Sequence, residues 1–244
     1  MDRITSYPHS MRSSETSLHA RRKAAAEASA GISADFLYDK YEELIRNQRL
    51  FGAVLDFGAG RGFLTRRLIH MNLFSAIAAA DILPKPFDMP PEVLWIDADL
   101  DEPLAKPDES FDVILCSEVI QCLENPRAVA REFFRLLRSN GTVIISTPNN
   151  ESVRAIAALW IQGQFVSFGQ SSYPYHKTAL LRTDLDRLLG EAGFDRREFF
   201  YSNHGGLPKK PSLTWQRISG GWLAGKRFSD NIFAIARKAS RSPL

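Results

Sequence analysis

An open, doubly wound α/β domain is the fold class that this 244-residue sequence predicts. Three observations carry it. Short apolar runs alternate with amphipathic helical stretches, which implies crossover connections and a mainly parallel sheet covered on both faces. The stretch "VLDFGAGRGF", residues 54–63, passes from an apolar run into three alternating glycines and then into a helical pattern. Downstream, "NPRAVAREFFRLLRSNG" is close to a complete helix specification and runs into the apolar "TVIISTP".

Taken in order, residues 1–14 are polar and patternless, and disorder is expected there. "ETSLHARRKAAAEASA" has strong helix propensity but little apolar face, so it reads as a marginal or a surface helix. "SADFLYDKYEELIRN" sets Phe36, Leu37, Tyr41, Leu44 and Ile45 at helical spacing behind a Ser33 cap, and this helix should pack. "GAVLDFG" reads as a buried strand, "GFLTRRLIHM" as a helix, and "FSAIAAAD", "EVLWIDAD" and "FDVILCSE" as strands. Between the second and third strands "ILPKPFDMPPE" holds four prolines, so that crossover should be irregular.

In the next helix Asn125 can cap, Pro126 fits the first helical position, Val129, Phe133, Leu136 and Leu137 share a face, and Gly141 lies beyond. "TVIISTP" is the fifth strand. "ESVRAIAALWIQGQFVSFGQSSYPYH" reads as a helix and an aromatic loop, and "TDLDRLLGEAGF" as a helix capped by Thr183 and closed by Gly193. "FDRREFFYS" and "DNIFAIARK" are two strands, separated by the Pro- and Gly-rich "HGGLPKKPSLTWQRISGGWLAGKR" and expected to close the sheet antiparallel.

With 44% hydrophobic residues, the chain can bury one good core. Lys and Arg exceed Asp and Glu by 31 to 28, a balance too mild to argue for an acidic partner such as a nucleic acid. Cys116 and Cys122 lack the spacing of a structural zinc site and read as buried thiols, so no metal is expected. No apolar run approaches a membrane span and no signal-type segment opens the chain, which reads as cytoplasmic.

A strand that ends in glycines and feeds a helix exposes free amides where an anionic group can bind. Two cofactor classes use this device. The dinucleotide fingerprint G-x-G-x-x-G would need glycine at position 63, where Phe63 stands; the third glycine is Gly62. The spacing Asp56, Gly58, Gly60, Gly62 fits a ligand with one small anion, such as an amino-acid carboxylate. Asp81 ends the second strand where an acid can hold ribose hydroxyls, and "DADL" offers Asp99, with Asp97 as its rival, to an adenine amino group.

These blocks together, "VLDFGAGRGF", Asp81, "DADLDEPLAKPDESFDVILCSEVI" and "NPRAVAREFFRLLRSNGTVIISTPN", resemble the class I S-adenosylmethionine-dependent methyltransferases, in the small-molecule branch of types 11 and 23. The resemblance covers roughly residues 35–200. It implies a Rossmann-like seven-stranded sheet in the order 3-2-1-4-5-7-6 with the last strand antiparallel. Residues 1–30 would be an extension, 31–240 the domain, and 151–182 and 203–229 substrate-pocket or lid insertions. It further implies that Gly58, Ala59, Gly60 and Gly62 cradle the methionine moiety of S-adenosyl-L-methionine, with Asp56 buttressing the loop. Asp81 and Ile82 would lie at the ribose, Asp99 and the Leu100 amide at the adenine, and Cys116 and Ser117 near the methionyl amine. The tail from "ESVRAIAALW" is also similar to bacterial members that act on small molecules, lipids or surface glycans.

Methyl transfer from a sulfonium is an in-line displacement in which proximity and orientation supply about 7 to 11 kcal/mol, so a missing triad is no objection. A base helps only a weakly acidic acceptor, most simply a hydroxyl. His176, in "SSYPYHK", is a candidate base, or else a histidine bonded across its loop. Glu118 can orient an acceptor or serve as a structural carboxylate, and Phe168, Tyr173 and Tyr175 either wall the acceptor pocket or pack a lid. Where many relatives carry Glu-His, this chain has Gln121 and Cys122. Arg127, Arg131, Arg135 and Arg138 read first as a solvated face. Lys209, Lys210, Arg217, Lys226 and Arg227, interleaved with Trp215 and Trp222, suit a membrane surface or a lipid-linked acceptor, or else a lid or oligomer contact. Two other readings compete: a nicotinamide-dependent oxidoreductase, and a non-catalytic cofactor-binding protein on the same fold.

Overall fold

The computed structural model describes residues 10–208 and 210–239, with side chains from residue 17 onward. Seven strands form one sheet: β1 (Gly52–Phe57), β2 (Phe74–Asp81), β3 (Leu94–Asp97), β4 (Phe111–Ser117), β5 (Leu137–Pro148), β6 (Arg196–Tyr201) and β9 (Asn231–Arg237). Their order is β3-β2-β1-β4-β5-β9-β6; β7 (Gly206–Leu207) and β8 (Lys210–Thr214) form a separate hairpin. Counting only the main sheet, this is the expected 3-2-1-4-5-7-6. The strand at Asn231–Arg237 runs antiparallel to both neighbours, and the pairs among β1 to β5 are parallel.

Period-two alternation explains why both faces are covered. Leu55, Phe57, Ile114, Cys116, Val143 and Ile145 point to the face packed by α4 (Pro126–Leu136) and α6 (Arg182–Ala192). Val54, Val113, Leu115 and Ile144 point to the other, packed by α2 (Asp35–Asn47) and α3 (Phe63–Met71). Fully buried Phe133 of α4 meets Phe57 of β1 edge-on, with ring centroids 4.8 Å apart.

The expected helix α4 appears as specified: the Asn125 side chain accepts from the Ala128 amide at 3.0 Å, and Pro126 is its first residue. Its end differs, because the chain passes directly from Leu136 into β5 at Leu137, which pairs with Phe111. The β2–β3 crossover holds no helix, as its prolines require. Two caps were misplaced. Ser33 does not cap α2; its amide instead donates to the Tyr38 hydroxyl at 2.8 Å, and Ala34 precedes the helix. Thr183 lies inside α6, whose first turn is closed by the Leu181 amide donating to Asp184.

The largest difference is at the N-terminus, where α1 (Ser10–Ala28) extends through residues 10–14, for which disorder was expected; residues 1–9 lie outside the described part. With Ala25 buried and Arg22 engaged by acids, α1 is held by a few specific contacts that its weak apolar pattern could not announce.

Replacing Phe133 by Ala should cost about 3–5 kcal/mol of unfolding free energy, read from denaturant midpoints, because the cavity would open between β1 and α4.

Candidate active site

In a sheet of this winding the strands on either side of β1 are connected in opposite senses, leaving a crevice at the carboxyl ends of β1 and β4. A cavity of about 390 Å³ lies there, within the size range of small-ligand sites. Residues 58–60 of the loop after β1, the ends of β2 and β4, the turn 99–101, residues 29 and 31–34 and the loop at 175–177 line it.

The loop after β1 adopts a conformation that side chains would forbid. Gly58 has φ +85°, and a Cβ there would lie 2.2 Å from a Val119 methyl. Gly60 has φ +55°, and its Cβ would meet the Gly31 carbonyl at 2.3 Å. Here the glycines serve close packing as well as an open approach, a second reason that spacing alone did not reveal. The Gly60 amide donates to Asp81 Oδ2 at 2.7 Å, and the Leu83 amide to Asp81 Oδ1 at 2.8 Å. Asp81 thus ties the glycine loop to β2; burial raises its pKa, partly offset by the Leu83 and Gly60 amides.

Asp56 is almost wholly buried; its Oδ2 accepts from the Thr65 hydroxyl at 2.6 Å, while Oδ1 has no hydrogen-bond partner. Burial pushes its carboxyl up to about 7, with the Thr65 hydroxyl pulling the other way. Glu118 follows β4 with φ +58°, a left-handed conformation costing a glutamate about 1–2 kcal/mol. Its amide donates to Ser146 at the end of β5, and its side-chain Oε1 is buried without a partner. Burial lifts this carboxyl to about 7 as well, with Ser146, Asn231 and Gln121 moderating the shift. Ser117 Oγ is a third buried atom without a partner. Unpartnered buried groups and backbone strain gathered at one cavity mark a site built for a ligand.

Of the residues expected at a cofactor, the fold brings Asp56, Gly58, Ala59, Gly60, Asp81, Ile82, Asp99, Leu100 and Ser117 to this cavity. Gly62 lies off it, preceding α3 at φ +75° and facing Met89. Cys116 is also withdrawn: it is fully buried and its carbonyl accepts from the Tyr41 hydroxyl of α2 at 2.8 Å. Asp99 lines the cavity, while Asp97 is exposed at the end of β3 and does not.

Both candidate catalytic residues line the same cavity. His176 Nδ1 is paired with the Ser167 carbonyl, which requires that nitrogen to carry the proton and leaves Nε2 as an acceptor. Burial lowers the His176 pKa, with the Ser167 bond opposing. Tyr175 lines the cavity beside it, whereas Tyr173 is exposed and Phe168 packs against the His176 ring. Cys122 also lines the cavity, but burial pushes its thiol up to about 12, which keeps it protonated and unreactive. Among the described residues no group of three or more His, Cys, Asp or Glu is placed to hold a metal.

The residue that sequence reasoning missed is Arg22. From α1 its Nη1 reaches Asp99 Oδ2 at 2.9 Å and Glu102 at 3.3 Å, its Nη2 reaches Glu124 at 2.8 Å, and its Nε reaches Asp101 at 3.3 Å. Lys177 approaches Asp101 and Glu124 from the other side, at 3.9 and 3.8 Å. Nothing in an alanine-rich helix marks one arginine among its neighbours; the acids it meets are about 77 to 102 residues away. By contrast Arg127, Arg135 and Arg138 pair with surface acids, the solvated-face reading.

A family profile described as a methyltransferase domain, of type 23, matches residues 21–198, well over half of the chain. The chain is 27% identical over 138 residues to a malonyl-[acyl-carrier protein] O-methyltransferase of Halorhodospira halophila, covering 53% of this chain and 45% of the relative. It is 23% identical over 198 residues to the mitochondrial ubiquinone biosynthesis O-methyltransferase of Arabidopsis thaliana, covering 75% of this chain and 56% of the relative. It thus spans about half the length of these relatives. Among solved structures, an S-adenosylmethionine-dependent methyltransferase from Archaeoglobus fulgidus superposes with a TM-score of 0.60 at 17% identity, over 87% of this chain and 97% of that one. A 1,6-didemethyltoxoflavin N1-methyltransferase from Burkholderia thailandensis, with S-adenosylhomocysteine bound, gives 0.58 at 16% identity, over 98% and 94%. At such identities these two likenesses show the fold. The profile match runs across the glycine loop, Asp81 and the β4 edge, and it shows the family: this chain belongs to the S-adenosylmethionine-dependent methyltransferases of the type 23 methyltransferase-domain family.

Proposed function

We propose that the protein transfers a methyl group to a hydroxyl oxygen of a small-molecule or of a lipid-, glycan- or carrier-linked acceptor. Bound S-adenosyl-L-methionine supplies an electrophilic methyl group on a sulfonium. The residues present suit it. The amides of the loop 58–60 suit the methionine carboxylate, and the unpartnered Asp56 Oδ1 and Ser117 Oγ offer acceptors at the methionyl end. Asp81, with one lone pair on each oxygen still free of its amide bonds, suits the ribose hydroxyls. Leu100 and Asp99, on the same cavity, suit the adenine, and Asp99 shares its carboxylate with Arg22.

The observation that carries the acceptor class is the pairing of His176 and Glu118 in one cavity with the glycine loop. An acceptor that is already an anion needs no base and would be repelled by an ionised Glu118; a hydroxyl gains from both groups. In this reading His176 Nε2 would take the proton that the hydroxyl gives up when its oxygen displaces the sulfonium sulfur from the methyl carbon, while the Ser167 carbonyl holds the ring in the required tautomer. Glu118 orients the acceptor. Two relatives act at oxygen by name, one on malonyl-[acyl-carrier protein] and one in ubiquinone biosynthesis, which supports oxygen over nitrogen or carbon; malonyl offers a carboxylate, so the choice of a hydroxyl rests on His176 and Glu118.

Asp81→Ala should weaken S-adenosylmethionine binding at least about tenfold by titration calorimetry, since a buried charged acceptor is lost. Unchanged affinity would remove Asp81 from the ribose. His176→Ala should lower kcat by about 10²- to 10⁴-fold with cofactor affinity preserved. Because burial lowers the His176 pKa, its base form is lost only as pH falls below about 6.5, and the acid limb of the kcat profile should lie there and vanish in the variant. An acid limb centred near 7 that survives His176→Ala and disappears in Glu118→Gln would transfer the base role to Glu118.

A further inference from the structure

Helix α5 (Val153–Gln162) is inside out. Its buried residues are the small Ala155 and Ala158, while Ile156, Leu159, Trp160 and Ile161 are exposed, Trp160 at 90%. A surface helix ordinarily turns its large apolar residues to the core and its polar ones to water. A second exposed indole, Trp222 at 91%, stands in the loop after α7 (Trp215–Ile218), four residues beyond exposed Ile218.

The two segments are joined at their bases. The Val153 amide donates to the Arg227 carbonyl at 2.9 Å, Lys226 pairs with Glu151 at 2.6 Å, and Arg154 with Asp230 at 2.8 Å. Both leave the sheet at the same edge, after Pro148 of β5, after Tyr201 of β6 and before Asn231 of the antiparallel β9. That edge also carries the cavity, and the loop following α5 supplies its Tyr175, His176 and Lys177.

Charge is divided as sharply as polarity. Residues 152–183 and 199–229 hold eight of the chain's 31 Lys and Arg residues and none of its 28 Asp and Glu. Three of these cations, Arg154, Lys177 and Lys226, are paired with acids outside the two segments, and the others add to exposed tryptophans and isoleucines the composition of a surface that enters the headgroup layer of a negatively charged bilayer. An acidic protein would be drawn by the same cations and could also bury an indole, but indoles and isoleucines projecting together beside cations that pair with no acid among the described residues match an interfacial layer.

We propose that α5 and the Trp222 loop dock this protein on an anionic membrane surface, with the cavity edge of the sheet turned toward the lipid. Docking is peripheral: no helix among the described residues is long and apolar enough to cross a membrane. It goes beyond the methyl-transfer reading and does not depend on which acceptor is used.

The full-length protein, saturated with S-adenosylmethionine, is floated with phosphatidylcholine vesicles and with vesicles that also contain phosphatidylglycerol. Binding should favour the anionic vesicles by about tenfold or more and fall as salt rises. Trp160→Ala with Trp222→Ala should lower vesicle binding by about tenfold, with cofactor affinity and melting temperature unchanged because both side chains lie outside the fold. Arg217→Gln with Lys210→Gln should weaken it further at low salt only. Absence of flotation with anionic vesicles, equal binding to neutral ones, or full binding by the double tryptophan variant would overturn the proposal. So would saturable binding to an acidic acyl-carrier protein that is lost with the same tryptophans while vesicles go unbound.

Discussion

The hydrogen bond from the Gly60 amide to Asp81 is the contact on which the site depends. It joins the loop after β1 to the end of β2, so two neighbouring parallel strands share one rigid rim. Without it the left-handed glycines would be a flexible turn, and Gly31 would have no fixed surface to pack on. The same carboxylate fixes the Leu83 amide, which sets the direction of the proline-rich crossover. One buried acid therefore shapes both walls of the crevice, and each amide it accepts offsets part of the cost of its burial.

Around this rim the protein tolerates costs that a purely structural core would avoid. Asp56, Ser117 and Glu118 each hold a buried oxygen without a partner, and Glu118 sits in a left-handed conformation as well. All three border the same cavity. In a domain stabilised by two well-packed faces of Leu, Ile, Val and Phe, such losses are affordable locally, and they concentrate where a ligand can repay the missing bonds.

Closure of the cavity comes from far away in the chain. Arg22 joins α1 to acids after β3 and β4, and Lys177 brings the loop before α6 to two of the same acids. The Asp99 end of the crevice and the His176 loop thus share one cluster of charges. This gives the N-terminal helix, whose apolar pattern is weak, a defined seat over the site.

Local pattern alone was enough for much of the fold. The alternation of runs gave every main-sheet strand, Asn125 and Pro126 marked the start of α4, and Gly193 the end of α6, because periodicity, caps and turns are short-range properties. That Gly58, Gly60 and Asp81 reach the cavity follows from a similar short-range reason: they lie at strand ends, where the backbone itself forms the rim; Gly62, of the same spacing, lies off it. What only the tertiary structure decided are the contacts between distant segments. Examples are the Tyr41 hydroxyl that takes the Cys116 carbonyl, the clasp of Arg22, the choice of Asp99 over Asp97 at the cavity, and the outward turn of Trp160. A helix reads its own period from sequence, but which face it buries depends on what the rest of the chain puts beside it.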